Sequence, residues 1–245
     1  MSKDVWRFID LAEKEPWECR ALREVITEPT FTIACLRTYA LLGAKTSIND
    51  INVAECVVRN IPIVRGIESG GASLYTPSVL NFCVFYPENE ANKAVQFMVE
   101  ACKNLGLLAI PKLGSNDVVI NGRKATGRSD DLERRFFSGM YTIDFDYDLA
   151  DAVLQIPDNK FYDKTHKTVR DWVTSMSKEA GRVISMEEGK QSLLDACETV
   201  YDCKLVPGEL SVAEETRLAE LEEKFHSEEW VNYGKWSDVK EYWRP

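Results

Sequence analysis

The 245-residue chain reads as an α+β protein. Strand-forming runs and glycine turns crowd its middle, while helical periodicity takes over towards the end. The two regions do not alternate as regular βαβ units. The clearest local signal is Asn121-Gly122, a two-residue hairpin turn between Val118-Val119-Ile120 and a returning strand.

The elements follow in order. Trp6 to Asp10 predicts a first strand, 16–28 a helix and 30–42 a long strand ending at Gly43. A helix over 50–60 starts at Asn52, with Glu55 three residues on as its partner. After a small-residue loop, Leu80 to Tyr86 reads as a strand. Ala94, Val95, Phe97, Met98, Ala101 and Leu105 share one face of a 91–105 helix. The hairpin follows, then a strand over 139–146 and a helix over 147–154. The tail predicts helices over 165–178, 186–201 and 211–228, the last opened by the capping box Ser211-x-x-Glu214. No linker-like tract or repeat divides the chain, so 1–245 is expected to be one domain, with a helical tail from about 165 packed on it.

Two segments carry chemistry. In Gly122-Arg-Lys124-Ala-Thr126-Gly127 a rigid turn presents a lysine beside small residues, an arrangement that can hold a cation against a phosphate or carboxylate. A solvated surface hairpin is the plainer alternative. Upstream, Ile63-Val-Arg65 leads into Ser69-Gly70-Gly71-Ala72 and then Leu74-Tyr75. Glycines there allow close backbone approach and leave amides for an anion.

Together, in this order and separation, the two segments resemble the lipoate–protein ligase family of the biotin/lipoate ligase and transferase superfamily. Val173 to Met176 and Glu228-Glu-Trp230 look like further landmarks. The resemblance implies a mixed, largely antiparallel sheet flanked by helices. It also implies an enzyme that adenylates lipoate or octanoate with ATP and Mg²⁺, then transfers the acyl group to a lysine of a carrier. The carrier would be a lipoyl domain or a GcvH-like protein. On this reading Lys124 is catalytic. Arg65, Ser69, Gly70, Gly71, Ala72, Tyr75, Asn116, Asp117, Thr126, Gly127 and Gly139 bind substrate or nucleotide, and Asp117 reaches the Mg²⁺. Asn116 and Asp117 also read as a plain turn pair. Leu74, Tyr75 and Phe82 are expected to line an apolar acyl slot. Many family ligases continue into an accessory domain. Its expected absence here implies a catalytic domain alone, served by a separate small subunit.

The sequence departs from the family pattern in several places. Arg65-Gly66 stands for two arginines and Ser69-Gly70-Gly71 for three glycines. Tyr75-Thr76 stands for a histidine–aspartate pair, and Phe137-Ser138-Gly139 for His-His-Gly. Two other readings therefore stand beside the ligase. One is an ATP-independent octanoyl or lipoyl transferase with a cysteine nucleophile such as Cys83. The other is a catalytically weakened homologue that binds without turnover.

Composition bounds the partners. A net charge of −10 supplies no basic stripe for nucleic acid or an anionic membrane. No apolar run approaches ~20 residues and the N-terminus lacks a signal-like core, so a cytoplasmic location is expected. The seven cysteines are scattered without CxxC spacing, and His166 and His226 are the two imidazoles, which argues against a disulfide framework or a zinc site. Cys102 falls on the apolar face of the 91–105 helix and reads as core.

Overall fold

A computed structural model describes residues 3–88, 90–155 and 168–234. Among them, an eight-stranded sheet runs in the order β11-β1-β2-β6-β10-β9-β8-β7. The strands are β1 (Asp4–Asp10), β2 (Thr30–Ala34), β6 (Val79–Phe85), β7 (Ile110–Pro111), β8 (Asp117–Ile120), β9 (Arg123–Asp131), β10 (Phe136–Thr142) and β11 (Cys203–Pro207). Only β1 pairs in parallel, with β2 and β11; the remaining pairings are antiparallel. A second sheet, β4 (Ile63–Arg65), β3 (Tyr39–Leu42) and β5 (Ser73–Tyr75), has β3 at its centre. The architecture is the mixed, mostly antiparallel α+β arrangement expected.

The helices are α1 (Pro16–Ala21), α2 (Val53–Val58), α3 (Ala94–Asn104), α4 (Tyr147–Val153), α5 (Val169–Trp172), α6 (Met176–Ala180), α7 (Met186–Tyr201), α8 (Val212–Glu220), α9 (Glu222–His226) and α10 (Glu228–Tyr233). The α3 helix buries Phe97, Met98, Ala101 and Cys102 on the face predicted. Together with α7 it covers one side of the large sheet, where Phe31, Phe82, Phe137 and Tyr141 are fully buried. The opposite side meets α1 and α8 to α10 through a second cluster that includes Ala21, Leu22, Phe136, Phe225 and Trp230.

Sequence signals at the turns and caps hold. Asn121 (φ 49°) and Gly122 (φ 78°) both take positive φ, as a type I′ hairpin requires. Asn52 caps α2 by accepting from the Glu55 amide, and Ser211 with Glu214 closes the capping box of α8.

Some boundaries differ. The expected strand 30–42 is two strands in two sheets, because the chain leaves the large sheet after Ala34 and joins the small one at Tyr39. The expected helix 16–28 stops at Ala21 and finishes as a 3₁₀ turn over Leu22–Glu24. The β-branched Val25, Ile26 and Thr27, followed by Pro29, disfavour its continuation. The strand expected from 139 starts at Phe136 and ends at Thr142. Where 165–178 reads as one helix, α5 and α6 are separate: Thr168 caps α5 by accepting from the Asp171 amide, and α6 starts after an extended Ser175; residues 165–167 lie outside the described residues. Strand β11 was not expected. It forms because Cys203 to Pro207 finds a parallel partner in β1, which no local pattern announces.

Candidate active site

A cavity of about 380 Å³ opens between the large sheet and the small one. Its floor is β9 and β10, its roof is Leu41 and the 68–75 segment, and the α4 and α5 region closes one end through Phe145, Leu154, Val169, Trp172 and Val173.

Lys124 stands at the start of β9, just after the turn that fixes its direction. A register shift between Val118 and Val119 offsets the hairpin there. The Lys124 Nζ lies 2.8 Å from Asp117 Oδ1, with the lysine side chain 29% exposed. Gly127 makes this possible. A Cβ there would sit 2.7 Å from Lys124 Nζ and 2.8 Å from Asp117 Oδ1, so any larger residue displaces the ammonium. The Lys124 carbonyl accepts from the Thr174 amide at 2.8 Å, which seats the 173–174 segment beside the lysine.

The loop opposite is tied back by its carbonyls. The Glu68 oxygen accepts from the Ala44 amide at 2.9 Å, the Gly71 oxygen from Gly43 at 3.3 Å, and the Gly70 oxygen from Thr46 Oγ1 at 2.5 Å. The Ser69 oxygen accepts from the Ser129 hydroxyl. Among the described residues, the amides of Ser69, Gly70 and Gly71 donate to no protein acceptor. Glycines permit this closeness, since a Cβ on Gly43 would lie 2.4 Å from the Gly70 oxygen. A loop with its carbonyls engaged and successive N–H groups available is suited to an anion.

Of the residues predicted for the site, Lys124, Ser69, Gly70, Gly71, Ala72, Tyr75, Thr126, Gly127 and Gly139 line the cavity. Thr126 does so with its backbone, because its hydroxyl donates to the Met140 carbonyl and touches Met98 on the other face. Gly139 keeps the floor close: a Cβ there would lie 2.6 Å from both the Gly127 oxygen and the Phe82 ring.

Three predicted residues take other places. Arg65 is 1% exposed and is not in the cavity wall. Its guanidinium donates to the carbonyls of Gly43 (2.8 Å), Thr46 (2.7 Å) and Val231 (2.9 Å), so it ties the 43–46 turn to α10. Asn116 is exposed and donates to Asp130 at 3.2 Å, away from the cavity. Asp117 is ion-paired with Lys124 and does not line the cavity itself. Phe82, expected in the slot, is buried on the opposite side of the sheet against Phe97. Cys83 is also buried, and burial pushes its thiol up to about 12.

The sequence reading missed a charged cluster in the cavity wall. Arg20 and Arg23 of the α1 region and Glu68 of the loop are 1%, 2% and 4% exposed. The Arg20 Nη1 donates to Glu68 Oε1 at 2.9 Å and its Nη2 to the Tyr39 hydroxyl at 2.7 Å. The Arg23 Nε is 2.9 Å from the same Oε1, a charge contact rather than an aligned hydrogen bond. Ser138 Oγ donates to that oxygen at 3.1 Å. Arg20 also lies 5.0 Å from the centroid of Tyr75, which stacks on Tyr39 at 4.8 Å. Burial alone raises the Glu68 carboxyl, but Arg23 and Arg20 outweigh it and hold it at about 2. A three-residue spacing of arginines on a short helix reads as solvated charge, so no sequence signal marked this cluster.

The lysine hairpin and the opposing loop belong to a recognisable plan. The lipoyl protein ligase A/B catalytic-domain model matches residues 15–198. The chain belongs to this family. A lipoate–protein ligase from Streptococcus pyogenes serotype M5 is 27% identical over 194 residues, covering 71% of this chain and 55% of the relative. The chain therefore spans a little over half of that protein's length. The octanoyltransferase LipM from Kyrpidia tusciae is 28% identical over 121 residues, 49% of this chain and 44% of that one. The fold matches a bipartite lipoate protein ligase from Thermoplasma acidophilum, studied with its E2 lipoyl domain (TM-score 0.80, 21% identity, 98% of this chain and 100% of that one). It also matches the T. acidophilum protein Ta0514 with bound lipoic acid (TM-score 0.81, 18% identity, 96% and 100%). A lipoate-protein ligase A bound with ATP is similar too (TM-score 0.77, 18% identity, 96% and 99%). Among the described residues, no helix is long and apolar enough to cross a membrane.

Proposed function

We propose that this lipoyl ligase family member is an ATP-dependent lipoate–protein ligase that adenylates lipoate or octanoate and passes the acyl group to a carrier lysine. The observation that carries this reading is the Lys124 ammonium, held over Gly127 in one wall of the cavity, with the Ser69–Gly71 amides in the facing loop. Acyl-adenylate formation brings a carboxylate and an α-phosphate together. An ammonium on one side and N–H donors on the other offset their repulsion. Pyrophosphate leaves as the mixed anhydride forms; Lys124 then stays beside it while the carrier's lysine amine attacks the acyl carbonyl, forming the amide and releasing AMP.

No group of three His, Cys, Asp or Glu side chains capable of holding a metal occurs among the described residues. Asp117 already neutralises Lys124. A resident metal site does not fit this set, so Mg²⁺ would arrive on the triphosphate, with Asp117 the nearest carboxylate to Lys124. Support for a ligase over a cysteine transferase comes from the cavity wall, which among the described residues contains no cysteine. The bipartite T. acidophilum ligase studied with its E2 lipoyl domain supports a lipoyl domain as carrier and a separate subunit as partner.

Incubation with lipoate, MgATP and an apo-lipoyl domain, with the carrier weighed by mass spectrometry, tests the proposal. A gain of one lipoyl mass that requires ATP is expected. A gain that appears only from an acylated donor protein selects the transferase instead. No gain, even with a small accessory subunit added, selects the binding homologue.

A further inference from the structure

The hairpin that carries Lys124 is braced from outside the cavity. Its Asn121-Gly122 turn reaches α6, where the Glu179 side chain is 2% exposed. Glu179 gathers donors from three stretches of chain. Its Oε2 accepts from Asn121 Nδ2 at 2.7 Å, and its Oε1 from Arg123 Nη2 and the Thr174 hydroxyl, each at 2.5 Å. Thr174 is buried, and its own amide donates to the Lys124 carbonyl at 2.8 Å. The contacts close a ring. One carboxylate joins the residue before Lys124 to the residue that holds the Lys124 carbonyl. The Tyr147 hydroxyl donates to the Val173 carbonyl at 3.0 Å and fixes the same wall segment.

Asn121, Arg123, Thr174 and Glu179 do not line the cavity. Their effect on a ligand there runs through Lys124. Strand pairing alone braces the hairpin weakly. β8 has four residues and β7 two, and the register shift between Val118 and Val119 interrupts the ladder beside Lys124. The brace also needs a carboxylate in particular. A carboxylate only accepts, and its three neighbours here are donors. A side-chain amide in its place would turn an NH₂ towards one of them.

We propose that Glu179 is a positioning residue for acyl-adenylate formation: its carboxylate locks the hairpin to the 173–174 segment and so fixes where the Lys124 ammonium stands, without touching substrate. The inference rests on reading Lys124 as the activating cation, and its test keeps the two apart. The first measurement is acetylation of the intact, folded chain by a water-soluble amine-selective ester, followed by peptide mass spectrometry. Lys103, with its side chain 70% exposed, is the reference. In Glu179→Gln, Lys124 should be labelled about threefold or more faster, with Lys103 unchanged. Loss of folded protein would speed both lysines together. The second measurement is lipoate-dependent exchange of pyrophosphate into ATP. Glu179→Gln should lose about tenfold in kcat, with the KM for ATP changed by less than about threefold. Should circular dichroism show that this variant does not fold, Asn121→Asp takes its place. That change keeps a turn-forming residue and sets a carboxylate against Glu179, so both readouts should move in the same directions by about threefold.

Unchanged labelling of Lys124 overturns the positioning role. Faster labelling with exchange at the wild-type rate overturns its part in activation. A wild type that exchanges no pyrophosphate overturns the ligase reading alone, and the labelling still decides whether Glu179 holds the ammonium in place.

Discussion

The two ends of one cavity hold positive charge by different physics. At the hairpin end, Lys124 is a single ammonium on a flexible stem, 29% exposed, with one carboxylate partner. At the α1 end, Arg20 and Arg23 are at most 2% exposed and share Glu68 with Ser138, and Arg20 also donates to the Tyr39 hydroxyl. The first charge can move and meet a ligand at little cost to the fold. The second is part of the fold, because a buried charge without its partner is expensive. One end is thus suited to chemistry and the other to fixing shape.

Substitutions sharpen this contrast. The largest stability effect is expected at the α1 end. Glu68→Ala leaves two buried guanidiniums uncompensated and should cost about 3–5 kcal/mol, read as a lower urea midpoint. A loss under ~1 kcal/mol would show that the cluster is open to water rather than buried. At the hairpin end, Lys124→Ala should reduce acyl transfer roughly 10²-fold or more, with stability changed by about 0.5 kcal/mol or less. Gly127→Ala should act in the same direction through position. Its methyl would occupy the space of the ammonium, and transfer should fall on the order of tenfold, the size expected for a misplaced group. Near-wild-type transfer in Gly127→Ala would mean that the lysine works from another rotamer.

Acid provides a further comparison. Against burial, which raises it, Arg23 and Arg20 hold the Glu68 carboxyl at about 2, below its ordinary 4.5. Its contribution is fully present above pH 4.5 and is lost as pH falls towards 2. Glu214 is likewise lowered to about 2, first by its hydrogen bonds from Arg7, and spans the same window. Wild-type denaturant midpoints should therefore fall between pH 4.5 and 2. Glu68→Gln should flatten that slope, whereas Lys124→Ala should leave it unchanged. The smallest effect is expected at Cys83, which is buried outside the cavity wall. Cys83→Ala should leave ATP-dependent transfer unchanged and cost about 1 kcal/mol of stability, a typical value for a buried truncation. Loss of transfer in that variant would favour a thiol nucleophile.

Legibility followed the range of the interactions. The hairpin, the α2 and α8 caps and the buried face of α3 rest on neighbours within a few residues, and each was readable. The same locality exposed Lys124 and the glycine loop. Arg65 misled because its chemistry suits a phosphate, while its real partners, Gly43, Thr46 and Val231, come from distant segments. Arg20, Arg23 and Glu68 were invisible for a related reason. Their burial depends on β6, β10 and the loop converging over α1, with Asn81 and Ser138 as partners. β11 needed β1 beside it before it became a strand.

The most direct measurement is lipoate-dependent exchange of pyrophosphate into ATP, which isolates the first half-reaction from any carrier. Wild type should exchange, and Lys124→Ala should lose roughly 10²-fold or more of that rate while binding ATP. Exchange in Lys124→Ala at the wild-type rate would contradict the assignment of this ammonium to the acyl-adenylate.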